Sequence, residues 1–105
     1  MTAYRLSAAA DADFESIARY TRQQWGADQA RKYGLALIAC FERLANGAAQ
    51  VRRMAWGGRF FLRYRCQHHV ILAREAPGEL QIIAILHERM DIQAHIARRL
   101  QDDQP

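Results

Sequence analysis

The chain has 105 residues, half of them hydrophobic and a quarter charged; one globular domain spanning 1–105 fits those figures, and a multidomain enzyme, a disordered chain or a collagen-like fibre does not. A domain of this size hides about 65% of the surface its unfolded chain exposes, so chemistry is expected on an open face or a shallow cleft and not in an enclosed cofactor cavity. The formal charge of +4 arises from 15 Lys+Arg against 11 Asp+Glu, a mild excess that selects no partner by itself.

Tyr4-Arg5-Leu6 alternates and ends at Ser7, which predicts a short opening strand leading into a helix cap. From Ala8 to Trp25 the residues Phe14, Ile17, Ala18, Thr21 and Trp25 recur at helical intervals. Asp11, Asp13 and Glu15 crowd the start, where the helix dipole favours anions. Phe14 and Trp25 are expected in the core, and Gly26 ends the helix. Asp28 is placed to cap a second helix, whose apolar face is Tyr33, Leu37, Ile38, Phe41, Leu44 and Ala45 and whose stop is Asn46-Gly47. So short a link makes the pair an antiparallel hairpin, and Gly34 beside the apolar face marks a close approach to the first helix or the sheet.

A loop containing Trp56-Gly57-Gly58, read as a turn, precedes three strands. Arg59 to Cys66 alternates, with Phe60, Leu62, Tyr64 and Cys66 on one face and Arg59, Phe61, Arg63 and Arg65 on the other. His69 to Glu75 forms the next strand, and Ala76-Pro77-Gly78-Glu79 has the residues of a type II turn. Leu80 to His87, almost wholly apolar, predicts a central strand buried on both faces. Asp91 caps a terminal helix with Ile92, Ile96 and Leu100 in a single apolar row, which predicts loose docking. The order implies an α+β fold: an antiparallel sheet packed by an N-terminal helical hairpin, with a short C-terminal helix.

No run of about 18 apolar residues is available to span a bilayer, and the N-terminus lacks the sections of a signal peptide. A cytoplasmic protein without membrane contact is expected. Cys40 and Cys66 sit in apolar surroundings without zinc or redox spacing and are expected as two reduced structural thiols. His68 and His69 point to opposite sides of a strand and do not readily share an ion, so neither metal nor cofactor is expected. Charge is unevenly spread: residues 1–50 hold six cations and five anions, 51–74 six arginines and no acid, and 75–105 three cations and six anions. The middle block coincides with the alternating strand, whose parity groups Arg59, Arg63 and Arg65. Such a stripe faces an acidic partner or nucleic acid, or pairs with acids from the other segments.

Four stretches in order, Tyr4-Arg5-Leu6-Ser7, Ile17-Ala18-Arg19-Tyr20-Thr21 followed by Trp25-Gly26, Gln29-Ala30-Arg31-Lys32-Tyr33, and Ile85-Leu86-His87-Glu88-Arg89-Met90-Asp91, resemble ParE toxins of the RelE/ParE superfamily. The likeness covers nearly the whole chain. It departs at Asn46-Gly47-Ala48-Ala49-Gln50-Val51, where the family often has Asn-Pro and then Gly-Arg. The resemblance implies a RelE/ParE-like fold and the toxin of a type II toxin–antitoxin module, held by a ParD-like antitoxin in a hetero-oligomer and arresting growth through DNA gyrase. Such an antitoxin folds onto its toxin with apolar anchors and acids, and so needs an apolar floor with a cationic rim. Ala27, Ala30, Ala36 and Ala39 are assigned to the floor, and Arg59, Phe61, Arg63 and Arg65 to the rim. Arg89 joins the partner-binding set, and Arg98 and Arg99 on the terminal helix are the candidates for gyrase.

The RelE branch shares the fold and cleaves mRNA on the ribosome. Cleavage through a 2′-hydroxyl needs a base, an acid and cations for the phosphate, which here would be His87 with Arg63, Arg65 and the Arg59 face. By resemblance that branch relies on a dense set of lysines and arginines with a late tyrosine, whereas no lysine follows Lys32 and no tyrosine follows Tyr64. A gyrase inhibitor that is not an enzyme is the first reading, and an mRNA endoribonuclease the alternative. His87 itself is read first as structural, capping a strand end or bonding near Asp91.

Overall fold

In a computed structural model of the chain, which describes residues 3–47 and 50–102, strand β1 (Ala3–Leu6) runs into helix α1 (Ala8–Trp25) through Ser7. The Ser7 hydroxyl accepts from Ala10 N–H at 3.1 Å and donates to Ile83 C=O at 3.3 Å, so one side chain both caps the helix and ties it to a distant strand. Gly26, at φ 93°, turns the chain directly into helix α2 (Ala27–Ala45). That helix starts one residue before the expected cap, and Asp28 lies in its first turn. The close approach expected at Gly34 is to α1: a Cβ there would meet the Phe14 ring at 3.6 Å.

Strands β2 (Arg52–Trp56), β3 (Arg59–Cys66), β4 (His69–Ala76) and β5 (Glu79–His87) follow, then helix α3 (Ile92–Asp102). Strand β2 is an addition to the expected set. It pairs with β3 through Gly57-Gly58, both at positive φ (60° and 79°), the geometry of a tight hairpin turn that suits glycine. The sheet order is β1-β5-β4-β3-β2. Neighbours are antiparallel except β1, which lies parallel to β5, so the sheet is mixed where an antiparallel one was expected. Strand β5 is buried on both faces as expected but lies second in the order, with β4 in the middle.

Both faces of the sheet are packed. The hairpin covers one, where Leu37, Phe41 and Leu44 meet Leu62, Ile71, Ile82 and Ile85. Helix α3 covers the other, where Ile96 and Leu100 meet Phe61, Leu72, Ile83 and Leu86. Two aromatic assignments change as a result. Phe61 is 2% exposed under α3 and offers no side-chain surface to a partner, while Phe60, beside the hairpin turn, is 66% exposed with the Arg53 guanidinium 5.8 Å from its ring centre. Trp25, at the last position of α1, is 71% exposed and not in the core, whereas Phe14 packs near Phe41 as expected.

Helix α3 is held by more than its apolar row. Asp91 Oδ1 caps it by accepting from Ala94 N–H at 3.2 Å. Arg99 donates to both carboxylate oxygens of Asp13 at 2.8 and 3.1 Å and to Ile83 C=O at 2.9 Å. The same Asp13 accepts from Ile85 N–H at 3.0 Å. Strand β1 covers the β5 edge only as far as Ile82; beyond it, Ser7, Asp13 and Arg99 supply the missing partners. The expected pair of reduced thiols is also revised. Helix α2 crosses β3 so that the Cys40 and Cys66 Cα atoms lie 6.2 Å apart, within bonding range, and the two form a disulfide. A separation of 26 residues gave no local spacing by which to recognise it.

Candidate functional site

The first candidate site is the arginine face. Arg63 opposes Leu72 and Arg65 opposes Val70, which places both on the side of the sheet that carries α3. The register of β2 adds Arg52 directly opposite Arg63. Like charges at such a position repel, and neither has an acidic partner among the described residues. Arg65 instead forms an ion pair with Glu88, whose second oxygen lies 3.2 Å from His68 Nδ1. The hydrogen bond to His68, aided by the Arg65 charge, holds the Glu88 carboxyl below the usual carboxylate range.

Acids of the C-terminal third also engage Arg5 (Glu79, 3.0 Å) and Arg53 (Glu75, 3.6 Å). Part of the basic block is therefore neutralised within the fold, while Arg52, Arg59 and Arg63 have no acidic partner among the described residues. Arg59, at the hairpin turn, lies at the far end of β3 from Arg65, about 20 Å away at the usual strand rise. Arg89 and Arg98 are exposed, whereas Arg99 is engaged by Asp13 inside the molecule. Arg52 went unrecognised because β2 did: Val51 to Trp56 does not alternate cleanly, and only the Gly-Gly that follows signals a hairpin.

The second candidate is a cleft of about 740 Å³ between α1, the first half of α2, the turn that opens β4 and the last residues of β5. Its inner wall holds Tyr33, His69 and His87, and exposed Tyr20, Trp25 and Met90 line it as well. His69 and His87 are register partners with rings edge to face at 5.1 Å, and Tyr33 sits edge-on to His69 at 5.4 Å. The hydrogen bonds fix the tautomers. Tyr33 Oη accepts from His68 N–H at 3.2 Å, which leaves its own proton for His69 Nδ1. His87 Nδ1 accepts from Arg89 N–H at 3.0 Å. In the neutral form each imidazole therefore carries its proton on Nε2. Burial, reinforced by the neighbouring His87 and His68, pushes the pKa of His69 down to about 4, so it is uncharged at neutral pH. Burial raises that of Tyr33.

This geometry separates the residues that the nuclease alternative needs together. His87 lies with His69 and Tyr33 on the hairpin side of the sheet, and Arg63 and Arg65 lie on the α3 side. At the strand end His87 Nδ1 accepts from Arg89 N–H, a contact of the kind the structural reading of this histidine expects. The sequence placed Tyr33 on the apolar face of α2 and weighed His69 only with His68, because a tyrosine in a helix and a histidine opening a strand carry no spacing signal toward His87; only the register of β4 with β5 brings them together. Among the described residues no group of three or more His, Cys, Asp or Glu is arranged to hold a metal ion, and no helix is long and apolar enough to cross a membrane.

Comparison with known proteins adds a separate line. A family model described as the ParE toxin of the type II toxin–antitoxin system parDE matches residues 4–92. The protein named Toxin ParE from Escherichia coli is 43% identical over 101 residues, covering 95% of this chain and 98% of its own. Toxin ParE1 from Caulobacter vibrioides is 35% identical over 98 residues, covering 91% and 99%. A solved chain described as the chromosomal ParDE TA system from P. aeruginosa superposes with a TM-score of 0.60 at 18% identity, covering 83% of this chain and 96% of that one. That last likeness is one of fold.

Proposed function

This chain belongs to the ParE toxin family of type II toxin–antitoxin systems, and from that premise we propose that it arrests growth by binding and poisoning DNA gyrase in the cytoplasm, and that a ParD-like antitoxin neutralises it in a hetero-oligomer. The observation that supports gripping a partner over cutting RNA is the placement of His87 and the arginines on opposite faces of the sheet. An endoribonuclease needs base, acid and phosphate-binding cations around one substrate; here His87 lies across the sheet from Arg63 and Arg65, and the carboxylate and imidazole that do lie beside Arg65, those of Glu88 and His68, are paired with each other and with its guanidinium. Arg52 and Arg63, opposed and without an acid, suit a carboxylate-bearing partner, because the guanidinium fork binds carboxylates in pairs and a bound acid would relieve their repulsion. The antitoxin is assigned to this face, with Arg65 and Arg59 at its ends. Exposed Arg89 and Arg98 are assigned to the target. Controlled expression without antitoxin tests the reading: broken DNA and a DNA-damage response with intact mRNA support it, and cleaved mRNA with intact DNA overturns it.

A further inference from the structure

The Cys40–Cys66 disulfide is an unusual link for a protein placed in the cytoplasm, where such bonds are rare and mostly transient, catalytic or redox-sensing. Its two sulfurs sit in unlike surroundings. Arg43, one turn along α2 from Cys40, places Nη2 3.0 Å from Cys40 Sγ, while its Nε donates to Tyr64 Oη at 3.4 Å. Cys66 Sγ instead faces the carbonyl oxygen of Ala36 at 3.8 Å. A guanidinium beside one sulfur stabilises negative charge there. The negative end of a C=O dipole beside the other favours a neutral S–H, whose weak hydrogen bond it accepts. Both cysteines are 2% exposed. Arg43, however, lines an open hollow of about 660 Å³ with Ala39, Asn46 and Tyr64, so Cys40 lies one side chain from solvent.

We propose that Cys40 is a redox-reactive thiolate and Cys66 its resolving partner, so that the disulfide closes when a hydroperoxide is present and opens to a cellular dithiol. In closing, the Cys40 thiolate attacks the hydroperoxide: the O–O bond breaks, an S–O bond forms, and the leaving oxygen takes up a proton to depart as water or an alcohol. The Cys66 sulfur then attacks the Cys40 sulfenic acid, S–S forming as S–O breaks, and the Cys66 proton leaves with the hydroxyl as water. Two electrons pass from the sulfur pair to the peroxide. In opening, one thiolate of the dithiol attacks Cys66 Sγ and Cys40 departs as the thiolate that Arg43 stabilises. The second thiolate then frees Cys66, leaving the dithiol oxidised. This inference rests on the cytoplasmic reading and extends it to control of the toxin. The bond ties the helical hairpin to the strand that carries Arg63 and Arg65, and closing it raises stability against unfolding.

The test uses the full chain, reduced and desalted, with thiols counted by alkylation and mass spectrometry and each variant's melting temperature checked. Hydrogen peroxide should close the disulfide, and dithiothreitol should reopen it in the folded protein. Cys66→Ser should stop at a sulfenic acid on Cys40 that a 1,3-dione traps, whereas Cys40→Ser should leave Cys66 unlabelled. Arg43→Gln should slow closing and opening severalfold, and Arg43→Lys should restore much of the rate. Tyr64→Phe, which loses only the outer hydrogen bond of Arg43, should react as the parent does. In cells, alkylation at lysis should find both thiols free before peroxide stress and joined after it. Equal labelling of the two cysteines, or rates indifferent to Arg43→Gln, overturns the inference. A chain in the cytoplasm whose disulfide is complete before stress overturns it too and leaves the cytoplasmic reading standing. Recovery of the chain outside the cytoplasm overturns both.

Discussion

Replacing Asp13 by alanine removes three contacts at once: both oxygens that Arg99 grips and the acceptor for Ile85 N–H. A buried N–H left without an acceptor costs about 1–3 kcal/mol. Breaking a fully buried ion pair costs about 3–5 kcal/mol, but here the side chains are 20% and 22% exposed, which moves the cost toward the lower end. A loss of about 3 kcal/mol is expected for Asp13→Ala. At about 2.1 cal/mol/K per residue, unfolding 105 residues carries about 0.22 kcal/mol/K, so the melting temperature should fall by about 14 °C. Arg99→Ala loses the same pair, but Ile83 C=O keeps the Ser7 hydroxyl, and about 2 kcal/mol is expected. Thermal and urea unfolding of the two single variants and the double variant should give a coupling of about 1.5–2 kcal/mol. Additivity within about 0.5 kcal/mol would refute the clamp and leave the apolar row alone holding α3. The result also decides how Arg99 is read, since a residue that holds the fold cannot be scored as a target contact from loss of toxicity.

Reducing the Cys40–Cys66 disulfide, which closes a loop with a 26-residue separation, should lower stability by about 3.5 kcal/mol from chain entropy; equal melting with and without a reductant would show that the link constrains nothing. Stability should also fall in mild acid. His69 titrates at about 4 folded and 6.5 unfolded, so its contribution is complete above pH 6.5 and is lost as pH drops toward 4, by roughly 2–3 kcal/mol. His69→Asn should flatten that slope, and an unchanged slope would assign it to other groups. Arg63→Ala with Arg65→Ala should weaken antitoxin binding at least tenfold while moving the melting temperature by less than a few degrees, because both lie outside the cores; a large fall in melting temperature would make them structural.

Most of the fold was legible because the local signals agreed. Ser7 and Asp91 cap as their types and positions predict, and Gly26 breaks the hairpin where expected. The misreadings share one cause. Alternation along β3 sorts residues into two faces, but it does not say that both faces are packed, so Phe61 was given to the surface when α3 buries it. Trp25 fits the apolar stripe of α1, yet lies at its last position and lines an open cleft. The candidate site was half legible for the same reason. Charge counts located Arg63 and Arg65, whereas Arg52 opposite Arg63, His69 against His87, the Asp13–Arg99 clamp and the disulfide exist only through long-range register and packing.

The central claim, that this ParE-family chain acts on gyrase and is released from that action by an antitoxin, is tested most directly with purified components. Gyrase, relaxed plasmid and ATP are incubated with the toxin, with and without the ParD-type antitoxin. The account predicts loss of supercoiling with accumulation of protein-linked linear DNA, both prevented when the antitoxin is added first. Unimpaired supercoiling at saturating toxin, with translated mRNA cut in a parallel ribosome reaction, would contradict it.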